Sequence, residues 1–460
     1  MKRFILLLSI VINVFAAGMH LPGIGARGIS MGGAYRAICD DPTSIYWNPA
    51  GLSNIDSDYK LQAIGQWVHN DFRYTPADTL LKTAHVIRPG EHQMTSSDFI
   101  VPHIFSSFRP NIAAKKLIFG LGFYSPLGVA STWDVMKDHD LDYVTKQLVN
   151  NIREYEFTTT EALPEEDFVG TIFAMTGSPA IAYQITENLS IGVATTFTYS
   201  SFDVDMPSLD STKMLADTGI VFQKAKMQSL NWGINAGVQY QPTDKIQLGA
   251  SIKYDSDFEY EGEFREEVYK FYNQTLSEGL GIINGGYIVR PWEDARLSLP
   301  RPLMYGFGVG YDITEDITIT ADASYTDWEV LDELTVYYAD TDSILEQITV
   351  GWKSYWRYSL GAEWRLSRYA LRGGVFYEPH PPVPEYQNLF LPDFNDNPAF
   401  NLGFSADYGK IQIESSFEME YFGELDVEPY NEDNSTLITN IPGIYDGYVA
   451  ALTLSATYSF

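Results

Sequence analysis

The sequence predicts an all-β fold, a transmembrane antiparallel β-barrel of about fourteen strands. Three observations carry this: an export signal with no helical span after it, long stretches of period-two alternation, and an amphipathic last strand ending in Phe460. Each bears on a different link between the chain and a membrane.

The export signal comes first in the chain. Lys2 and Arg3 precede an apolar run from Phe4 to Phe15, broken only by Ser9 and Asn13, and the small residues Ala16, Ala17 and Gly18 follow. That order is a charged n-region, an apolar h-region and a cleavage site, placed after Ala16, so residues 1–16 read as a signal peptide. The run is too short to span a bilayer as a helix, which takes about twenty residues. No long uninterrupted apolar stretch follows residue 18, and Cys39 lies too far in to be a lipoprotein cysteine. Export then leaves a secreted, a periplasmic or an outer-membrane product.

Composition narrows the partners. Lys and Arg number 30 against 60 Asp and Glu, a formal net charge of -30. Nucleic acid is excluded, because its phosphates would be repelled. Aromatic residues make up 14%, with 31 Tyr and 9 Trp; such rings gather where one end sits in lipid and the other in water. With Cys39 alone, no disulfide framework exists.

Alternation selects the barrel. From Lys245 to Glu261 one face carries Ile246, Leu248, Ala250, Ile252, Tyr254, Phe258 and Tyr260, and the other Lys245, Gln247, Ser251, Lys253, Asp255, Asp257, Glu259 and Glu261. Strands of soluble proteins usually run five or six residues, whereas a tilted membrane strand needs about 9–11. Leu189, Ile191, Val193, Phe197 and Tyr199 alternate with small or hydroxyl residues, and Ile317 to Tyr325 does the same. Between Trp352 and Arg365, the outward positions are Trp352, Trp356, Tyr358, Leu360 and Trp364, with Lys353, Tyr355, Arg357, Ser359, Glu363 and Arg365 inward. Aromatics at both ends of an aliphatic centre fit two lipid interfaces.

The strands fall at approximately 59–70, 97–109, 115–125, 171–185, 188–205, 224–241, 245–261, 299–312, 316–338, 352–366, 368–379, 398–408, 409–423 and 446–460. Links near Pro110, Thr186, Pro242, Thr314, Ser367 and Gly409 are tight, and those starting near Asp71, Pro126, Met206, Gly262, Ala339, His380 and Glu424 are long and polar. Short periplasmic turns with long outer loops are the bacterial pattern. In the last strand Tyr448, Ala450, Leu452, Leu454, Ala456, Tyr458 and Phe460 share one face, opposite Thr453, Ser455, Thr457 and Ser459. A terminal Phe with this alternation resembles the signal read by bacterial barrel-assembly machinery, a partner it implies along with outer-membrane lipid and lipopolysaccharide.

Motifs of catalysis are weak. Gly23-Ile24-Gly25-Ala26-Arg27-Gly28 matches G-x-G-x-x-G but follows a cleaved signal and no strand, so a dinucleotide site is rejected. The seven His are scattered without ligand spacing, and no G-x-S-x-G elbow occurs. The chain is therefore expected to be no enzyme and to need no cofactor or metal. The acidic loop from Pro126 to Gly170, with Glu165, Glu166 and Asp167, reads as a solvated outer loop rather than a calcium site, lacking ordered Ca²⁺ ligand spacing.

A family resemblance rests on several blocks. Gly25-Ala26-Arg27-Gly28-Ile29-Ser30-Met31-Gly32-Gly33-Ala34-Tyr35, Asp40-Asp41-Pro42-Thr43 and Tyr46-Trp47-Asn48-Pro49-Ala50-Gly51-Leu52 resemble the start of the FadL/TodX family, outer-membrane channels for long-chain fatty acids and aromatic hydrocarbons. Further matches are Gly120-Leu121-Gly122-Phe123-Tyr124-Ser125-Pro126-Leu127-Gly128, Gly237 to Lys245, Trp356 to Glu363, Leu371-Arg372-Gly373-Gly374, Pro382-Val383-Pro384 and Leu391-Pro392-Asp393. The first block is similar also to barrels of the type IX secretion system; the later ones favour the transporter.

The resemblance implies three segments: signal peptide 1–16, an N-terminal hatch 17–58 inside the barrel with Asn48, Pro49 and Ala50 in it, and the barrel 59–460. The chemistry of the hatch agrees, since its glycines allow compact turns and Asp41-Pro42 and Asn48-Pro49 stop regular structure. It also implies passive uptake: capture outside, hatch rearrangement, and lateral release at a kinked third strand, about Lys115 to Ser125, where Gly120, Gly122 and Pro126 permit a kink. A fifteen-methylene tail gains roughly 12 kcal/mol on leaving water, so an apolar groove suits it and a wet pore does not. By alternation Lys353, Arg357 and Arg372 are candidates for an anionic headgroup, or equally members of a ladder with Glu363 and Asp322. The alternative function is a barrel that docks protein partners of a secretion system. A general water-filled porin is a third, disfavoured by the hatch.

Overall fold

A computed structural model describes residues 23–83, 87–96, 98–112, 116–136, 158–159, 163–207, 219–272, 286–389, 396–430 and 440–460. The signal peptide 1–16, the first hatch residues 17–22, Lys115, most of the acidic loop and Leu391-Pro392-Asp393 lie outside them.

Fourteen antiparallel staves close into a barrel. They are β1 (Tyr59–Pro76), β2 (Asp98–Phe108), β3 in two pieces (Leu117–Tyr124 and Gly128–Trp133), β4 (Phe168–Thr186), β5 (Leu189–Pro207) and β6 (Gly219–Thr243). Next come β7 (Ile246–Asp255 and Phe258–Tyr272), β8 (Glu293–Leu299 and Met304–Asp312), β9 (Ile317–Thr326 and Glu333–Tyr338) and β10 (Ile344–Thr349 and Tyr355–Leu366). The ring finishes with β11 (Tyr369–Glu378), β12 (Asn397–Asp407), β13 (Ile411–Val427) and β14 (Gly443–Ser459). Closure is continuous: β14 pairs β1 from Lys60↔Ser459 to Pro76↔Gly443. Phe460 adds its backbone N–H to Tyr59 O at 3.1 Å, and its ring sits 4.7 Å from that of Tyr59. A closed ring leaves no unpaired edge to satisfy in lipid, which is why strands can span at all.

The lipid face follows the alternation. Leu452, Leu454, Ile191, Phe197, Tyr358 and Leu360 are exposed, while Thr453 and Ser455 are buried on the inner face. Exposed rings stand near the short-turn ends (Tyr183, Tyr240, Tyr311, Trp364, Phe460) and further up the wall (Tyr199, Trp232, Tyr254, Tyr377, Tyr421). The tight turns are closed by residues that accept a left-handed backbone, Ser367 at φ 58° and Gly409 at φ 81°.

Three expectations are corrected. The run from Lys245 to Glu261 is not one alternating strand. It breaks at Ser256-Asp257, where Ser256 N–H donates to Trp232 O at 2.8 Å, and Asp255 and Phe258 both face inward. An extra residue reverses parity, so Phe258 and Tyr260 point into the lumen rather than to lipid. Likewise the tenth strand's membrane piece begins at Tyr355, so parity does not reach Trp352 and Lys353. Trp352 is buried against Trp328 with ring centroids 4.8 Å apart, and Lys353 is exposed. The link at Ala339 is short: β9 and β10 extend as a hairpin pairing Glu333↔Thr349 to Tyr337↔Ile344.

Candidate functional site

Residues 23–55 fold inside the ring as two helical turns, Ala26–Ser30 and Ser44–Trp47, followed by a 3-10 turn, Pro49–Asn54. The wall makes room for them with inward glycines. A Cβ at Gly192 would lie 2.3 Å from the Pro49 carbonyl carbon, and one at Gly374 2.2 Å from the Gly32 nitrogen, so backbone meets backbone there and no side chain fits.

Polar contacts then fix the segment. Asn48 spans hatch and wall, its amide donating to Arg36 O and Val238 O at 3.0 Å each while its oxygen accepts Ala50 N–H at 3.2 Å. Pro49 lies over Gly192, and Ser190 Oγ donates to Ala50 O at 3.2 Å. Two arginines reach the wall. Arg27 grips Glu363 with Nε at 3.0 Å and Nη2 at 3.2 Å, and also meets Asp40. Arg36 pairs with Asp322 and donates from Nε to Ser251 Oγ at 3.0 Å. Burial alone would lower the Arg27 pKa, but Asp40 and Glu363 raise it well above its ordinary value, so it stays charged. Burial pushes the Asp40 carboxyl upward against the pull of Arg27.

The headgroup candidates separate. Arg372 is buried in the ladder, with Nε 2.5 Å from Glu363, Nη1 3.2 Å from Glu414 and Nη2 3.2 Å from Ser405 Oγ. Arg357 faces the lumen, 3.3 Å from Glu378 and stacked 3.7 Å over Phe376. Lys353 precedes the strand piece that begins at Tyr355 and is exposed. Between hatch and wall lies a cavity of about 80 Å³ lined by Gly33, Arg36, Tyr46, Trp47, Lys253, Arg357 and Glu378. Small-molecule sites hold roughly 300–1,000 Å³, so this space admits no lipid-sized ligand as it stands.

Above the hatch the inner wall turns apolar. Val68, Phe72, Phe99, Val101, Ile172, Phe202, Phe222, Phe258, Tyr260, Phe264, Leu297, Phe422 and Val449 belong to one buried cluster. Only the parity reversal in β7 puts Phe258 and Tyr260 there, and the Tyr260 hydroxyl is satisfied 2.6 Å from Ser200 Oγ.

The wall itself is interrupted at β3. Its first piece pairs β2 only from Ile104↔Phe123 to Phe108↔Phe119, and its second pairs β4. Among the described residues, Asp98–His103 pairs β1 but no residue of β3. The break falls at Ser125–Leu127, beside Pro126, where Ser125 Oγ donates to Ala174 O at 2.7 Å and Ser125 N–H to His103 Nδ1 at 3.4 Å. Gly120 and Gly122 lie below it and serve close packing instead: a Cβ at Gly120 would meet Ile45 and Leu52 of the hatch, and one at Gly122 the Phe105 ring. The gap is bounded above by Thr95 N–H donating to Thr132 O at 2.8 Å.

In the acidic loop, Asp167 is buried and accepts Val135 N–H at 3.0 Å and Met136 N–H at 2.5 Å, so it is a structural anchor rather than a solvated charge. Burial pushes its carboxyl up to about 7.

A plugged fourteen-stave barrel with this sequence has relatives. The family model of outer membrane protein transport proteins (OMPP1/FadL/TodX) matches residues 147–460. The chain belongs to that family. A proposed outer membrane protein of Neisseria meningitidis serogroup B is 20% identical over 439 residues, 90% of this chain and 88% of that protein. A FadL homologue of Pseudomonas aeruginosa superposes with TM-score 0.73 at 17% identity, over 96% of this chain and 100% of that one. The toluene transporter TodX of Pseudomonas putida gives 0.69 at 15%, over 96% and 99%. At such identities the likeness shows the fold. Membership of the OMPP1/FadL/TodX family places the chain in the outer membrane as a channel for hydrophobic compounds.

Sequence reasoning did not single out Arg36 or His103, and it met Arg27 only within a family block and Asp322 only as a ladder acid. Arg27 and Glu363 stand 336 positions apart, and only closure of the ring brings them together.

Proposed function

We propose that this member of the OMPP1/FadL/TodX family takes up long-chain fatty acids or aromatic hydrocarbons passively, with rearrangement of the hatch and lateral release into the bilayer. The observation that carries the reading is the two-tiered lumen, apolar above and polar around the hatch. Apolar lining holds a tail that water would expel. The small size of the cavity between hatch and wall supports a shift of the hatch during passage. The interruption at Ser125–Leu127 supports an exit between β2 and β3, which spares the tail a second wetting. Assembly through the terminal strand ending at Phe460, in a surround of lipid and lipopolysaccharide, belongs to the same reading.

The test is a reversible lock. His103→Cys with Ser125→Cys places two thiols across the gap, whose parent side chain and backbone lie 3.4 Å apart. Cells carrying the oxidised variant are expected to lose most uptake of labelled fatty acid or toluene, and reductant to restore it. Unchanged uptake with the disulfide verified by mass would remove the lateral route. Wild-type protein that takes up neither class while co-purifying in fixed ratio with a secretion component would favour the docking barrel instead.

A further inference from the structure

The inner wall of β12, β13, β14 and β1 carries a band of buried polar groups with atoms left over. Gln66 and Asn70 are 0% exposed, and among the described residues neither atom of either amide has a hydrogen-bond partner. Thr453 Oγ1, Ser416 Oγ, Asn401 Oδ1 and Glu418 Oε1 are in the same condition. The register makes them neighbours: Gln66 pairs Thr453, Thr453 pairs Ser416, and Glu418 pairs Asn401, whose amide donates to its other oxygen at 2.5 Å. Val68, Ala451, Val449 and Phe422, from the same strands, belong to the apolar cluster. The surface is therefore amphipathic on the scale of one small molecule, with a hydrogen-bonding band beside an apolar wall.

Charge says which molecule. The three cations beside the central cavity are each matched by a carboxylate: Arg36 by Asp322, Lys253 by Asp255 at 3.3 Å, and Arg357 by Glu378 at 3.3 Å. The band itself contains no Lys or Arg and carries Glu418, with Glu420 two residues further along the strand; Arg357 acts on Glu418 but is already matched by Glu378. A ligand carboxylate would meet like charge there with no surplus cation to offset it. A hydroxyl finds the reverse, a carboxylate oxygen and amide oxygens to receive its proton and amide N–H groups to donate to its oxygen. Leaving such groups unmet in a buried site is costly, which makes the band selective for a ligand that meets them.

Resting on the passive hydrophobic uptake read above but not on its choice of cargo, we propose that this band is a headgroup subsite, and that the preferred cargo is an apolar molecule ending in a neutral hydroxyl, an alcohol or phenol, rather than an ionised carboxylic acid.

Three ligands of one chain length decide it, 1-dodecanol, dodecanoate and dodecane, with binding measured on the full chain in nanodiscs at pH 8. Dodecanol is expected to bind about tenfold tighter than dodecanoate, the usual worth of a hydrogen bond to a charged group. Glu418→Gln, by removing the nearest of these charges, is expected to narrow the difference between the two. Gln66→Leu is expected to weaken dodecanol and leave dodecane unchanged, and it decides the matter if Glu418→Gln fails to assemble. Equal binding of dodecanol and dodecanoate to wild type, or an unchanged ratio in Glu418→Gln, overturns the inference. So does dodecane binding as tightly as dodecanol, which would leave the band merely hydrated while hydrophobic uptake stands. Failure of all three to bind would count against the uptake reading itself.

Discussion

At the scale of the residue, one parity decides whether a side chain meets lipid, water or the hatch. Leu454 is 54% exposed and its neighbour Thr453 0%, although they are adjacent in one strand. The first faces hydrocarbon, where a charge has no partner. Leu454→Arg is expected to destabilise the assembled barrel by about 2–4 kcal/mol if the site is near the midplane. Leu454→Met, which keeps an apolar surface of similar volume, is expected to be near neutral. Denaturant titration into lipid vesicles, read by heat-modifiable gel mobility, measures both. Equal tolerance of Arg and Met would mean that the register is wrong.

Elements are joined by a few charged contacts that gather several strands at once. Glu363 on β10 receives Arg27 from the hatch, Arg372 from β11 and Arg365 from its own strand, the last at 3.0 Å. Removing it strands at least two buried guanidinium groups, a loss of about 3–5 kcal/mol when one partner of a buried pair is deleted. Most of that loss falls on the hatch, because the wall keeps its backbone ladder. Glu363→Ala is therefore expected to fold and insert normally but to expose residues 23–55 to added protease from the periplasmic side. Protease resistance equal to wild type would show that the clamp does not hold the hatch. The broken staves have a comparable logic. In β7 an irregularity at Ser256-Asp257 re-aims Phe258 inward, and in β3 the break at Ser125–Leu127 detaches the wall from β2. Both are local losses of pairing that change what faces the lumen.

For the whole molecule, the question is whether the lumen is open. Residues 23–55 contact the inner faces of β5 through β12, so they cross most of the ring. Deleting 23–53 is expected to convert a nearly non-conducting barrel into one with large, steady single-channel conductance in planar bilayers. An intact protein that already conducts like an open porin would mean that the segment does not plug it.

Much of this was decided by the sequence alone. Period-two alternation is a local property, and lipid enforces it strand by strand, so Leu189 to Tyr199, Ile317 to Tyr325 and Tyr448 to Phe460 reveal their faces without any partner. The tight links at Thr186, Ser367 and Gly409 are equally local, because turn chemistry needs only adjacent residues. The family blocks placed Asn48, Pro49 and Ala50 in a compact segment for the same reason. What only the tertiary structure decided has a common cause: it depends on distance around the ring or on a single inserted residue. One extra residue at Ser256-Asp257 turns Phe258 and Tyr260 from lipid to lumen, and no composition rule marks it. The strand start at Tyr355 takes Lys353 out of the alternation that suggested its direction, while closure brings Arg372 to Glu363 and Glu414 and so pairs its charge. The apolar ceiling, the break beside Pro126 and the polar band from Asn401 to Asn70 are likewise shared among strands far apart in the chain. Alternation tells each strand which side is in; only the closed ring determines what that inside contains.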